Sequence, residues 1–199
     1  MSDKSLQSMV EACFSALIRP KETFDRMATT PAKWTGLVAV TALGVMYTVL
    51  MWVLAASKSM PSYTRGLITE PAAYYKTAAL YIFPLLVFLW FLFTATAHGV
   101  AKSLGGKASF ETSMGALGVA YSVPILLFFV IPDLVLMAVG GHELLTASVR
   151  YTAGLTGLCL FLLSVFAVRG IHKVSTGKSI VAVVVALVVH APLAGWLIR

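Results

Sequence analysis

The chain has 199 residues, 59% hydrophobic and 12% charged, with a formal net charge of +7. A soluble domain carries about 25% charged residues, so this composition, with a mean hydropathy of +0.88, excludes an ordinary soluble enzyme and predicts an integral membrane protein. The excess positive charge fits loop lysines and arginines that orient membrane helices; no basic run is interleaved with aromatics as in single-strand binders, so no nucleic-acid partner is expected.

Residues 1–33 read as a cytoplasmic amphipathic helical segment. Within SLQSMVEACFSALI, apolar side chains at Leu6, Met9, Val10, Cys13, Phe14 and Leu17 follow the i, i+3, i+4, i+7 stripe of a helix lying on a surface. That surface is either the membrane or the protein's own cytoplasmic face. The next stretch, RPKETFDRMATTPAKW, begins a second short helix at Pro20, with Phe24 and Met27 on one side. Thr30-Pro31 suits the start of the following helix, and Trp34 suits a membrane interface.

The remainder, 34–199, divides into five apolar runs long enough to cross a bilayer or nearly so: about 34–56, 75–98, 113–137, 151–168 and 179–198. The predicted fold class is therefore all-α, a polytopic helical membrane protein with five transmembrane helices. Before the second run, Thr69 is a candidate cap, and Glu70 lies near a helix start at Pro71. Pro84, Pro124, Pro132 and Pro192 fall inside the predicted spans, and Gly140-Gly141 ends the third. Five crossings place the termini on opposite sides. With the N-terminus inside, the cytoplasmic segments hold Lys4, Arg19, Lys21, Arg26, Lys33, Lys102, Lys107, Arg169, Lys173 and Lys178. The other side holds Lys58, Arg65, Lys76, Arg150 and Arg199. This asymmetry favours an N-in, C-out orientation. Cys13 and Cys159 should sit at different depths, which argues against a disulfide.

The polar stretch at 103–112, SLGGKASFET, separates the second and third runs. It lacks the first glycine spacing and the post-lysine hydroxyl of a phosphate-binding Walker loop, and no strand precedes it. A turn explains it better. Gly105 or Gly106 takes positive φ and ends one helix, Ser109 caps the next, and Glu111 complements that helix's dipole. Lys102 and Lys107 then face anionic headgroups, and the turn's amides offer contact to a lipid phosphate. Lys173 and Lys178 belong to a second loop on the same side.

Few residues suggest chemistry within the membrane. His190 lies inside the fifth span, and an ionisable group there is a functional candidate. Its structural alternative is a neutral imidazole bonded to the Val188 carbonyl, which Pro192 leaves without a donor. Asp133 lies near the far end of the third span, with His142 and Glu143 beyond the glycine pair. Three mixed ligands without repeated spacing are weak grounds for a metal. His98 and His172 read as residues at the ends of spans. Small residues four apart, Ala116/Ala120, Ala153/Gly157, Ala182/Ala186 and Ala191/Gly195, permit close helix approach. No serine or cysteine has a histidine at a recognisable catalytic spacing, so neither an enzyme nor a cofactor is expected.

RPKETF before the first span, KSLGGKASFETSMGALGVAYSVP across the third and GIHKVSTGKSIVAVVVALVV in the fifth resemble the Yip1 family over roughly residues 18–198. The most specific part is Leu104-Gly105-Gly106 followed by Ala120-Tyr121-Ser122-Val123-Pro124. The resemblance implies five spans with a cytoplasmic N-terminus. It also implies that Tyr121 belongs to the family's tyrosine–proline segment. Eukaryotic members are implicated in vesicle traffic, and some bind prenylated Rab-type GTPases. This sequence lacks their long N-terminal region and an Asp-Leu-Tyr-Gly-Pro motif, which argues against a Rab-type partner. Its short form looks like bacterial members, implying the bacterial inner membrane. The expected function is non-enzymatic organisation of membrane lipids, and of other membrane proteins, through a cytoplasmic face holding Lys102, Gly105, Gly106, Lys107, Lys173 and Lys178. The alternative is a transporter of a small molecule, ion or lipid with a polar cavity near His190 and Asp133.

Overall fold

The computed structural model describes residues 3–29, 33–61 and 70–197; the side chains of residues 3–10, 33, 196 and 197 lie outside the description. The described residues are almost all helical. The helices are α1 (Asp3–Ile18), α2 (Pro20–Thr29), α3 (Lys33–Ala56), α4 (Tyr74–Ser103), α5 (Phe110–Ile125), α6 (Ile131–His172) and α7 (Thr176–Leu197). A single 3₁₀ turn, Pro71–Ala73, leads into α4.

Among the described residues, four continuous segments are long and apolar enough to cross a membrane: Trp34–Ala56, Pro71–Ser103, Phe110–His172 and Thr176–Gly195. Their outer surfaces suit hydrocarbon. Leu80, Phe88, Val135, Leu158 and Val188 are exposed, a distribution that would be an aggregation hazard in water.

The 63 residues of Phe110–His172 would extend about 95 Å as one straight helix, roughly three times the hydrocarbon thickness. They do not run straight. Pro124 cannot donate to the helix ladder, and a π-helical turn, Leu126–Val130, follows it. Farther on, Gly141 adopts φ +66° and ψ −162° within α6, and there the chain reverses. The two ends of the run consequently meet, with Ser113 Oγ 3.2 Å from His172 Nε2. The sequence predicts a loop between spans at 138–150. The structure instead continues helix through this region and confines the break to one residue, because His142 onward has its own helical partners, such as Thr146 Oγ1 donating to the His142 carbonyl at 2.8 Å.

The bundle is tightest where α3 crosses α5. A Cβ on Gly36 would collide with the Met114 carbonyl and lie 2.6 Å from the Gly115 carbonyl, while one on Gly118 would strike the Gly36 backbone. Glycine alone lets these two backbones touch. Of the predicted small-residue pairs, Ala116/Ala120 and Ala182/Ala186 are buried, whereas Ala153/Gly157 and Ala191/Gly195 face outward.

In α2, Phe24 and Met27 are buried as predicted, with Phe24 against Gly170 of α6. α1 packs on α2 and on the flank of α3 and α5. Ala16 is fully buried there, Cys13 and Leu17 are partly buried, and Phe14 and Ile18 are exposed. The proposed caps Thr30-Pro31 and Thr69, and the cations Arg65 and Arg199, lie outside the described residues. The side chains of Leu6, Met9, Val10, Lys4 and Lys33 lie outside them too. Both cysteines are free.

Candidate functional site

One end of the bundle collects the junction of α1 and α2, the turn between α4 and α5, and the turn between α6 and α7. Arg19, Lys21, Arg26, Lys102, Lys107, Arg169, Lys173 and Lys178 are all exposed on these segments. The described cations toward the opposite end are Lys58, Lys76 and Arg150. We call the first end the basic face.

The 104–109 turn is built as its composition predicts. Gly105 takes φ +93°, and its N–H donates to the Lys102 carbonyl at 3.0 Å. Ser109 Oγ accepts from the Thr112 N–H at 3.2 Å as the α5 cap. The turn's amides, however, are engaged. Gly106 N–H donates to the Ala101 carbonyl at 2.8 Å, and Lys107 N–H donates to the His172 carbonyl at 3.2 Å. They close the ends of α4 and α6, which leaves the lysine side chains, rather than the amides at 105–107, available to an anion.

The four predicted lysines divide into two classes. Lys178 Nζ donates to the Leu104 carbonyl at 2.8 Å, a cation stabilising the C-terminus of α4. Lys173 Nζ contacts Asp25 Oδ1 at 2.6 Å and ties the end of α6 to α2. Lys102 and Lys107 make no ion pair among the described residues. Lys173 also lines a cleft of about 260 Å³ between α2 and α6, together with Lys21, Asp25, Phe166 and Arg169. The sequence places Lys21 and Arg169 among the cytoplasmic cations but does not bring them together. Their convergence depends on α2 packing against α6, which no local pattern announces.

Beneath this face lies a polar network that sequence reasoning also missed. Ser113 Oγ donates to the Ser109 carbonyl at 3.1 Å. It lies 2.8 Å from His98 Nδ1 and 3.2 Å from His172 Nε2. The hydroxyl thus links both imidazoles and the Ser109 carbonyl through one oxygen. The rings stand 5.2 Å apart. His172 is fully buried, and its Nδ1 has no hydrogen-bond partner among the described residues. Gly106 packs directly on that atom, leaving no room for a Cβ. His98 and His172 are thus structural partners across three helices rather than independent span ends. The available sequence signal was two histidines and a serine at three helix ends expected on one face.

Deeper in the bundle, Tyr121 Oη lies 3.0 Å from His190 Nε2. Both residues are buried, and the Phe93 ring packs on each, with centroids 5.9 and 5.8 Å away. The sequence expectation paired His190 with the Val188 carbonyl. The tyrosine is the observed partner, because α5 and α7 both face α4 at this level. Asp133 is buried in the first turn of α6. It lies about 18 Å of helix rise from Tyr121, so it and His190 do not share one site. Across the reversal, His142 Nε2 lies 3.4 Å from Thr146 Oγ1.

A family model described as the Yip1 domain matches residues 14–198. No curated protein and no solved structure matches the chain.

Proposed function

The chain belongs to the Yip1 domain family, and from that membership we propose a non-enzymatic integral membrane protein that gathers anionic lipids and membrane partners at its basic face. The carrying observation is the concentration of exposed cations at one end, with Lys102 and Lys107 unengaged by acidic groups among the described residues. Each cation near an anionic surface contributes about 1 kcal/mol of attraction.

In this reading the chain crosses the membrane five times, since the two arms of Phe110–His172 each rise about 46 Å before and after Gly141. The basic face is cytoplasmic by the positive-inside rule. The membrane is the inner membrane of a bacterium, and α1 lies at its surface with Phe14 and Ile18 toward lipid. The transporter alternative receives less support, because His190 is engaged by Tyr121 and closed off by Phe93.

The test is the lipid composition around the protein when it is excised with native membrane into polymer nanodiscs. Wild-type discs should be enriched in anionic phospholipid over the bulk membrane. Lys102→Glu with Lys107→Glu should abolish most of that enrichment, because the change removes two cations and adds two anions. Identical lipid and co-purified protein profiles in the two samples would contradict the proposal.

A further inference from the structure

We infer that the cleft between α2 and the end of α6 is a discrete binding site for the phosphate headgroup of one anionic phospholipid. The inference rests on the basic-face reading above but names a specific site within it. Lys21, Arg169 and Lys173 converge on the cleft from two helices, with Asp25 as the only carboxylate lining it among the described residues. Asp25 is already held by Lys173 at 2.6 Å. That pair fixes one wall and leaves Lys21 and Arg169 to face an anion.

Arginine suits this position. Its planar fork can bind two phosphate oxygens at once, while Lys21 adds a movable point charge. Both side chains are exposed, so a headgroup can reach them without rearrangement of the bundle.

The cleft also continues into an acyl path. Phe166 lines it one turn below Arg169. Leu162, Leu158 and Leu155 then follow down α6 at helical spacing, 45%, 56% and 47% exposed. Cationic cleft and exposed apolar stripe share one helix face, which is the polarity of a phospholipid rather than of a soluble phosphate ester.

The experiment is native mass spectrometry of the full chain in detergent, titrated with phosphatidylglycerol or with phosphatidylcholine of equal chain length. The wild type should retain one phosphatidylglycerol in clear preference to phosphatidylcholine. Lys21→Gln with Arg169→Gln should weaken that retention about 25-fold, at about fivefold per cation removed. Asp25→Asn should strengthen it, a change of sign that damage to the fold would not produce. Glycerol 3-phosphate at millimolar concentration should not displace the lipid.

If phosphatidylglycerol preference survives Lys21→Gln/Arg169→Gln but falls with Lys102→Glu/Lys107→Glu, the cleft is not the site and the basic-face reading stands. If the wild type shows no preference at all, both fall. Displacement by glycerol 3-phosphate would reassign the cleft to a soluble phosphate ester and overturn the lipid assignment.

Discussion

Gly36→Leu is expected to be the most damaging single substitution in the membrane bundle, costing about 3 kcal/mol or more. The site is buried, and even a methyl group would meet the Met114 and Gly115 carbonyls. These are backbone atoms that cannot rotate away, so relief requires α3 and α5 to separate along their length. Separation would open the packing of Val40 and Leu43, both fully buried farther along α3. In lipid, close packing rather than a hydrophobic driving force holds helices together, so this loss is not offset by solvent. Unfolding in a rising fraction of denaturing detergent should move to much lower fractions for Gly36→Leu, with Gly36→Ala intermediate. Gly154→Leu is the control, because an added Cβ there meets nothing within 4 Å. Its stability should remain within about 0.5 kcal/mol of wild type. Equal behaviour of the two leucine variants would show that the α3–α5 crossing does not limit stability.

Ser113→Ala should have the second-largest effect, about 2 kcal/mol. The substitution removes one oxygen from a site with no solvent exposure, leaving His98 Nδ1 and His172 Nε2 without the group both now approach. A buried polar group left unpaired costs about 1–3 kcal/mol. His172 is the more affected, since its Nδ1 already lacks a partner among the described residues. The damage should also be local. Lys107 N–H bonds the His172 carbonyl, so amide exchange through the 104–109 turn should accelerate together with the end of α6. Ser103→Ala removes an exposed hydroxyl bonded to the Val100 carbonyl of its own helix and should change neither. Unchanged exchange protection at Lys107 in Ser113→Ala would break the proposed coupling between the histidine network and the turn.

Local signals in the sequence were the legible ones. The 104–109 turn follows from glycine's freedom at Gly105 and the capping hydroxyl of Ser109, both properties of a few adjacent residues. Phe24 and Met27 face inward because three-residue spacing fixes a helix face. Properties that depend on distant packing were not legible. The four-residue small-residue pattern treats all its matches alike, yet Gly36 and Gly118, the residues at the tight crossing, come from separate helices. Lys173 and Lys178 carry the same charge as Lys102 and Lys107 in the sequence. Only the fold shows that Asp25 and the Leu104 carbonyl engage the first two. His190 offered its own helix as a partner, and the fold supplied Tyr121 instead. Gly140-Gly141 was legible as the end of a helix, but the absence of a loop after it was not, because helix resumes directly beyond Gly141 within Phe110–His172.

The central claim is a five-crossing chain with its basic face in the cytoplasm, and the location of the C-terminus tests it most directly. Paired C-terminal fusions should be compared in a bacterial host, one to a reporter active only outside the inner membrane and one to a reporter active only in the cytoplasm. An odd number of crossings from an inside N-terminus predicts activity of the first fusion and silence of the second. Activity of the cytoplasmic reporter alone would place the C-terminus in the cytoplasm, contradicting the fifth crossing or the orientation of the basic face.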